Sequence, residues 1–361
     1  MAGLLEKITK NQKPKTSRYI KDLLELAEKN HGVNSSEYKG IYNQYFKMPE
    51  IEDKYLVNRR HYEAEMGEGL PKGLERLYKR TVVIDLLSSC AAECVYCLRG
   101  YYESFALTNK DMEDIAIYCG NDENLKEVLI TGGDPLISFK KLKTLISELA
   151  IHAPNIKFVR IGTRLPVHDP YKINEELFVF FNSMRERFVF EIACQINHPF
   201  EIQEKTIEVL NDLQKSGCRI YSQNVLLKDV NDNVDTLIEL YDKLRYLGVT
   251  PHYFFHAVPM KGTNGFRTTV QKGIELIKKL TTKGEISGRA KPQYALMTDI
   301  GKVTLYENTI LGKEGNYVIV KTEYTLEDRK KWNPNYTLPD TAFENEDGTL
   351  SVKYLDAIEE K

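Results

Sequence analysis

The chain has 361 residues, 42% hydrophobic and 28% charged, with 50 Lys and Arg against 52 Asp and Glu for a formal net charge of -2. That length buries a substantial core in one large α/β domain with additions or in two smaller domains, and the near-neutral balance argues against a nucleic-acid surface, a local basic patch aside. No apolar run is long enough to span a bilayer, the residues from Met1 to Lys7 carry no signal-peptide core, and six cysteines do not make a disulfide framework, so a cytoplasmic protein without membrane contact is expected.

Residues 1–75 are rich in Lys, Glu and Tyr. Tyr19, Ile20, Leu23, Leu24 and Leu26, then Tyr38, Ile41, Tyr42 and Tyr45, recur at helical spacing, which predicts a helical cap without chemistry of its own. Gly67, Gly69, Pro71 and Gly73 break the pattern. From about residue 80 strand and helix signals alternate. Strands are predicted over Thr81–Leu87, Glu127–Thr131, Lys157–Ile161, Phe188–Ala193, Arg219–Val225 and His252–His256. Helices are predicted between them over Asn109–Cys119, Phe139–Ala150, Asn174–Met184, Ile202–Lys215 and Val234–Leu247. Six such repeats imply parallel strands joined by right-handed crossovers, with function at the C-terminal strand ends. The predicted organisation is a cap over 1–75, an α/β core over 76–262 and a C-terminal extension over 263–361. The tail from Thr337 to Lys361 is polar and acidic, with a Glu-Asn-Glu-Asp-Gly turn, and is expected to pack loosely.

Chemistry concentrates after the first core strand, in Cys90-Ala-Ala-Glu-Cys94-Val-Tyr-Cys97. Three thiolates on one loop converge on one centre, and three is one short of a closed four-coordinate metal site or a fully ligated four-iron cluster. A zinc site completed by a His or a distant Cys is one reading; a cluster with an open position is the other. Cys119, Cys194 and Cys218 stand alone in apolar surroundings and read as core residues. After the second strand, Thr131-Gly132-Gly133-Asp134-Pro135-Leu136 reads either as an ordinary glycine turn or as backbone that approaches a ligand closely.

The cysteine loop, with Tyr96 just before the third cysteine, resembles that of the radical S-adenosylmethionine (SAM) enzymes. The resemblance narrows to the lysine 2,3-aminomutase family on Leu129 to Leu136, Val159-Arg-Ile-Gly-Thr-Arg-Leu-Pro-Val167, Ile196-Asn-His-Pro-Phe-Glu201, Ser222 to Asn233 and Gly265-Phe-Arg-Thr268, in unbroken order from about residue 78 to 320. It implies a six-repeat partial (β/α)6 TIM-like barrel, which agrees with the count from periodicity. It also implies a [4Fe-4S] cluster on Cys90, Cys94 and Cys97 whose fourth iron chelates SAM, a pyridoxal 5′-phosphate (PLP) cofactor, and an amino group that moves from the α- to the β-carbon of an amino acid. An external one-electron reductant such as flavodoxin or ferredoxin, and a homo-oligomeric state, are further implications.

Carried over residue by residue, the resemblance places Gly132, Gly133 and Asp134 at the SAM amino group, Gln223 near SAM, Arg99 at the substrate carboxylate and Arg164 near the PLP phosphate. Arg76, Lys79 and Arg80 fall where further phosphate contacts lie, out of register by a residue; otherwise they form a solvated face. An arginine suits a carboxylate because its planar fork donates two parallel hydrogen bonds; the alternative for Arg99 is a solvated loop residue. Lys302, in Asp299-Ile-Gly-Lys302-Val-Thr-Leu305, matches the lysine that holds PLP, although one glycine stands where the family shows several. The same segment reads as a hairpin strand pairing with Tyr317–Val320, which would leave Lys302 exposed. Val258 and the region of Met297 replace the acids that hold the distal ammonium in lysine-specific members, with Asp299 the one acid nearby, so lysine is not the expected substrate. No Cys follows Cys218 to complete those members' zinc site, and no zinc is expected.

Other functions stay open at this level. A PLP-independent radical SAM enzyme performing dehydrogenation, decarboxylation or bond cleavage on an amino-acid-like substrate fits the cysteines equally. A zinc or electron-transfer protein fits the cysteines alone. An RNA-modifying enzyme lacks a basic stripe, and a branch tied to modifying a lysine of a translation factor leaves a protein-bound amino acid as substrate.

Overall fold

The computed structural model describes residues 14–48, 69–101, 105–260 and 262–358. Part of the expected cap and its boundary, including Gly67, lies outside them. The described part of the cap is two helices, α1 (Arg18–His31) and α2 (Ser36–Tyr45), each started by a serine, Ser17 or Ser35, whose hydroxyl accepts the amide proton of the third residue along. Their apolar faces do not stand apart from the core. Ile20, Leu23, Ile41 and Tyr45 pack with Ala92, Cys94, Val95 and Tyr96 of the cysteine loop.

Among the described residues, one sheet runs in strict chain order through β1 (Leu74–Glu75), β2 (Thr81–Leu87), β3 (Glu127–Gly132), β4 (Phe158–Thr163), β5 (Val189–Cys194), β6 (Arg219–Leu226), β7 (Thr250–His256), β8 (Gln293–Thr298) and β9 (Gly301–Thr304). Strands β2 to β8 are parallel to their neighbours, while β1 and β9 pair antiparallel at the two edges. The order is linear, so the sheet curls into an open partial barrel. Six of the seven parallel strands are those predicted from periodicity. The seventh, β8, follows a long excursion through α9 and carries no helix after it, so the β-α rhythm that marks the others is missing.

Helices α3 (Asn109–Gly120), α4 (Phe139–His152), α5 (Leu165–His168), α6 (Glu175–Met184), α7 (Glu204–Lys215), α8 (Val234–Tyr246) and α9 (Val270–Thr282) join the strands. The period-two alternation of each strand explains the layering. Val82, Ile84, Val128, Ile130, Val159, Ile161, Phe190, Ile192 and Phe254 are buried in the core that also takes in Leu142, Leu145, Ile146 and Leu149 of α4. Each such side chain contributes about 1.5–3 kcal/mol of transfer free energy. The intervening residues face the barrel interior and are largely polar or half-buried: Glu127 and Thr131, Arg160 and Gly162, Glu191, Tyr221 and Gln223, Tyr253 and Phe255. An apolar outer face and a polar inner face belong to a barrel that encloses something.

The C-terminal extension forms a second, antiparallel sheet of order β10 (Ile310–Glu314), β11 (Tyr317–Thr325), β13 (Thr349–Leu355), β12 (Ala342–Glu344), with a short helix α10 (Leu326–Trp332) after β11. Two expectations change here. Tyr317–Val320 pairs with β10 and β13, whereas Lys302 and its neighbours pair with β8, Met297 opposite Lys302. The tail does not pack loosely either. Leu350, Val352 and Tyr354 are buried, because alternate residues of this acidic segment are apolar and fill the inner face of the sheet. His256, at the end of β7, ties that sheet to the barrel: its Nδ1 meets Tyr354 Oη at 2.8 Å and its Nε2 meets the Thr268 carbonyl oxygen at 2.7 Å.

Candidate active site

The cysteine loop leaves β2 at its C-terminal end and is held from below by the exit of β3. Gly132 has φ of 114°, and a Cβ there would overlap the Leu87 carbonyl oxygen; a Cβ on Gly133 would overlap that of Ser89. The amide of Asp134 donates to the same Ser89 oxygen at 2.8 Å. The two glycines are therefore required by the close backbone approach of the two loops. The Asp134 carboxylate turns inward, accepting from Thr163 Oγ1 at 2.8 and 2.9 Å, Arg164 N at 2.8 Å and Leu136 N at 3.1 Å. Burial raises its pKa and these donors oppose the rise. Its oxygens are thus taken up by protein donors, and the amide of Gly133 donates to the Leu87 carbonyl oxygen.

From above, the cap clamps the loop. Lys15 N donates to Glu93 Oε2 at 2.7 Å while Glu93 N donates to Lys15 O at 2.7 Å, Lys15 Nζ donates to Cys90 O at 3.1 Å, and Val95 N donates to Gln44 O at 3.0 Å. The cap thus shapes the loop that carries the thiols.

Cys94 is buried; Cys90 and Cys97 are half-buried. Burial pushes the Cys90 thiol up, with the charges of Asp134, Cys97 and Cys94 adding to it, and lifts Cys94 to about 11 against the opposing pull of Arg164. Burial also raises Cys119 and Cys218, each to about 12, as befits core residues. Among the described residues, no three His, Cys, Asp or Glu side chains gather tightly enough for one metal ion. Three soft sulfurs on one loop are the donor set of an iron–sulfur cluster. The residues present fit that group.

Arg164 caps the arrangement. Its Nη1 donates to Cys94 Sγ at 2.9 Å and to Tyr96 Oη, its Nη2 to Gln44 Oε1 at 3.0 Å and to Glu201, and its Nε to the Gln195 carbonyl oxygen at 3.2 Å. All five guanidinium donors are met by protein acceptors here. Asn197 Nδ2 donates to Tyr96 Oη at 2.6 Å and to Gln44 Oε1 at 3.0 Å, and Tyr45 Oη to Glu201 at 3.0 Å. His168 Nε2 lies 3.6 Å from Cys94 Sγ. Sequence reading gave Gln44, Asn197, Glu201 and His168 no role. The signal was present, since Asn197 and Glu201 interrupt an apolar strand exit and buried polar groups need partners.

Inside the barrel, Arg160 Nη1 donates to Glu127 at 2.6 Å and its Nη2 to Tyr221 Oη at 2.6 Å, with Glu191 at 3.8 Å. Lys302 joins this layer from β9. Its Nζ sits 4.1 Å from the ring centre of Tyr253 and 5.6 Å from that of Phe255. Burial, reinforced by the charge of Arg160, pulls its ammonium down to about 8. The exposed hairpin lysine is therefore not realised. Gln223 shares the inner face, opposite Tyr253 in register. Arg99 is not solvated: it donates to buried Asp85 and lies 3.7 Å from Glu75. Arg76 is not a phosphate ligand in this arrangement, since it donates to Tyr118 Oη at 2.8 Å and Asp122 at 2.6 Å beneath Trp332. Asp299 accepts from Thr341 at 2.6 Å and is thereby committed to the C-terminal sheet.

No family model matches the chain. Curated relatives do. A protein of Aquifex aeolicus (strain VF5) named "Putative L-lysine 2,3-aminomutase" is 35% identical over 277 residues, 75% of this chain and 73% of the relative. The chain belongs to the lysine 2,3-aminomutase family. Two further members bracket it: the L-lysine 2,3-aminomutase of Clostridium subterminale is 32% identical over 69% of this chain and 60% of its own length, and the glutamate 2,3-aminomutase of Clostridioides difficile (strain 630) is 31% identical over 71% and 62%. A solved radical SAM methyltransferase from Sphaerobacter thermophilus aligns over 62% of this chain and 68% of its own, at 18% identity and a TM-score of 0.46. As a lysine 2,3-aminomutase family member the chain is a radical SAM enzyme of the isomerase class. Among the described residues, no helix is long and apolar enough to cross a membrane.

Proposed function

We propose that this family member is an amino-acid 2,3-aminomutase that carries a [4Fe-4S] cluster on Cys90, Cys94 and Cys97, binds SAM beside Gly132, Gly133 and Gln223, and holds PLP on Lys302. When bound, these groups supply a radical that removes hydrogen from the β-carbon and an imine carrier on which nitrogen migrates. What the chain itself contributes is placement. The inner layer keeps Lys302 Nζ largely away from bulk water, and this burial favours the neutral amine needed to attach an aldehyde, against the pull of the Tyr253 and Phe255 faces toward the ammonium. Arg99 is the cation for the substrate carboxylate, which would take the place of the Asp85 carboxylate that Arg99 now holds.

The observation that carries this reading is Lys302: an amine set on the inner face of the barrel against Tyr253, its ammonium lowered to about 8 by burial, in a barrel whose mouth presents three thiols. Val258 and Met297, where lysine-specific members have acids, direct the reading to an α-amino acid other than lysine. Anaerobic reconstitution with iron, sulfide, PLP and SAM, followed by a screen of free α-amino acids for β-isomers, tests it. The expected result is one β-amino acid formed, with the visible PLP band lost in Lys302→Ala. SAM cleavage without PLP uptake would instead establish a PLP-independent radical enzyme.

A further inference from the structure

The cysteine loop is not symmetrically surrounded. Cys90 faces the charge of Asp134. Cys94 faces the opposite: Arg164 Nη1 at 2.9 Å and His168 Nε2 at 3.6 Å. Both are fixed from behind. Arg164 is gripped by Glu201, Gln44 and the Gln195 carbonyl, and by the hydroxyl of Tyr96, which accepts from Nη1 and donates to Gln44 Oε1 at 3.2 Å. The backbone oxygen of His168 accepts from Ser17 at the start of α1, and its ring packs edge-on against Tyr45. The other ring nitrogen, Nδ1, is buried with no hydrogen-bond partner. A proton on Nε2, aimed at the sulfur, leaves Nδ1 as the bare lone-pair nitrogen, which accounts for the orphan.

A cluster gains one negative charge when it accepts an electron. Hydrogen bonds and positive charge at a ligand sulfur stabilise that reduced form and set the potential. Building on the proposed cluster, we infer that Arg164, with His168, is a positioning residue for Cys94 that raises the cluster's reduction potential, and that the N-terminal cap holds this donor pair in place through Gln44 and Ser17. Arg164 touches neither substrate nor cofactor in this role; it acts through the sulfur.

The test is a redox titration of the reconstituted full-length protein, followed by electron paramagnetic resonance, with dithionite as the one-electron donor. Iron and sulfide are counted in each sample. Arg164→Gln is expected to keep its iron and to shift the midpoint to more negative potential, by about tenfold in reduced fraction at a fixed potential, or about 59 mV for a one-electron couple. Arg164→Lys, which keeps the charge and loses the fork, is expected between the two. His168→Phe removes a donor and an unsatisfied nitrogen together, and is expected to shift in the same direction by less. Equal midpoints at full iron content would overturn the inference, as would iron loss with the surviving cluster at the original midpoint. Should Arg164→Gln take up no iron, His168→Phe decides alone, an unchanged midpoint overturning the inference. A native protein that assembles no cluster would overturn the proposed function itself.

Discussion

The mouth of the barrel and its interior are built on opposite principles. Around Cys94 every donor of Arg164 has a protein acceptor, Glu201 and Asn197 are buried, and the glycines leave no room for a Cβ. Around Lys302 the wall is half-buried, the amine rests on ring faces, and three of the five guanidinium donors of Arg160 are used by protein atoms. The comparison teaches that the polar groups of the mouth are satisfied by one another, whereas those of the interior are satisfied only in part, which suits the first to a fixed cluster and the second to the exchange of substrate in the proposed reaction.

The largest expected effect is at the mouth. Cys94→Ala removes one of three thiolates and also deprives Arg164 of an acceptor in a dry site. Iron content and SAM cleavage should both fall to background, as measured by colorimetric iron and 5′-deoxyadenosine yield. Retention of a stable cluster would mean that Cys94 is a core cysteine and would break the comparison at its strongest point.

Next comes Lys302→Ala, expected to abolish β-amino acid formation and PLP absorbance while leaving iron and SAM cleavage intact, because the two regions share no hydrogen bond among those described. The wild-type pH dependence sharpens this. A lysine lowered from 10.5 to about 8 supplies its neutral amine two and a half units earlier than a solvated one, so PLP uptake should rise through pH 8 and then level. The sign for stability is the same: between about 8 and 10.5 the unfolded chain holds a proton that the folded one lacks, so this group's contribution to stability grows with pH across that window.

Gly133→Ala is expected to cost about 1–3 kcal/mol, the range for overpacking, because the obstructing atom is backbone and cannot rotate away. Thermal unfolding reads the loss. Gly265, whose added Cβ meets nothing within 4 Å, is the control and should be nearly neutral. Similar costs at both sites would show that the two loops are not in close register.

Much of this was legible before the structure. The strands β2 to β7 announce themselves because alternate residues must fill an outer core, and the cysteine spacing and the glycine pair sit on consecutive strand exits where parallel sheets put function. What was illegible depends on partners far along the chain. Gln44 meets Arg164 across 120 residues, and no local pattern says that a cap helix will supply an acceptor that helps to set this arginine against a sulfur. The edge pairing of Lys302 was similarly hidden, since Tyr317–Val320 and Gln293–Thr298 offer equally apolar partners and only the closure of the first sheet chooses between them.

The smallest expected effect tests what keeps Lys302 poised. The ring of Tyr253 favours the ammonium through its π face, by about 0.5–2 kcal/mol, while the surrounding wall disfavours it by excluding water. Tyr253→Leu removes the first influence and keeps most of the second, so the ammonium should become less stable and the midpoint of PLP uptake should move down by about half to one and a half pH units. Tyr253→Phe keeps the ring and loses only the hydroxyl, so its midpoint should stay near that of the native protein. A midpoint that instead rises in the leucine variant would mean that water enters where the ring stood, and that desolvation here belongs to one side chain and not to the barrel. That outcome would erase the contrast between a closed mouth and an enclosed interior, because the amine would then owe its reactivity to a local lid that any ligand must displace.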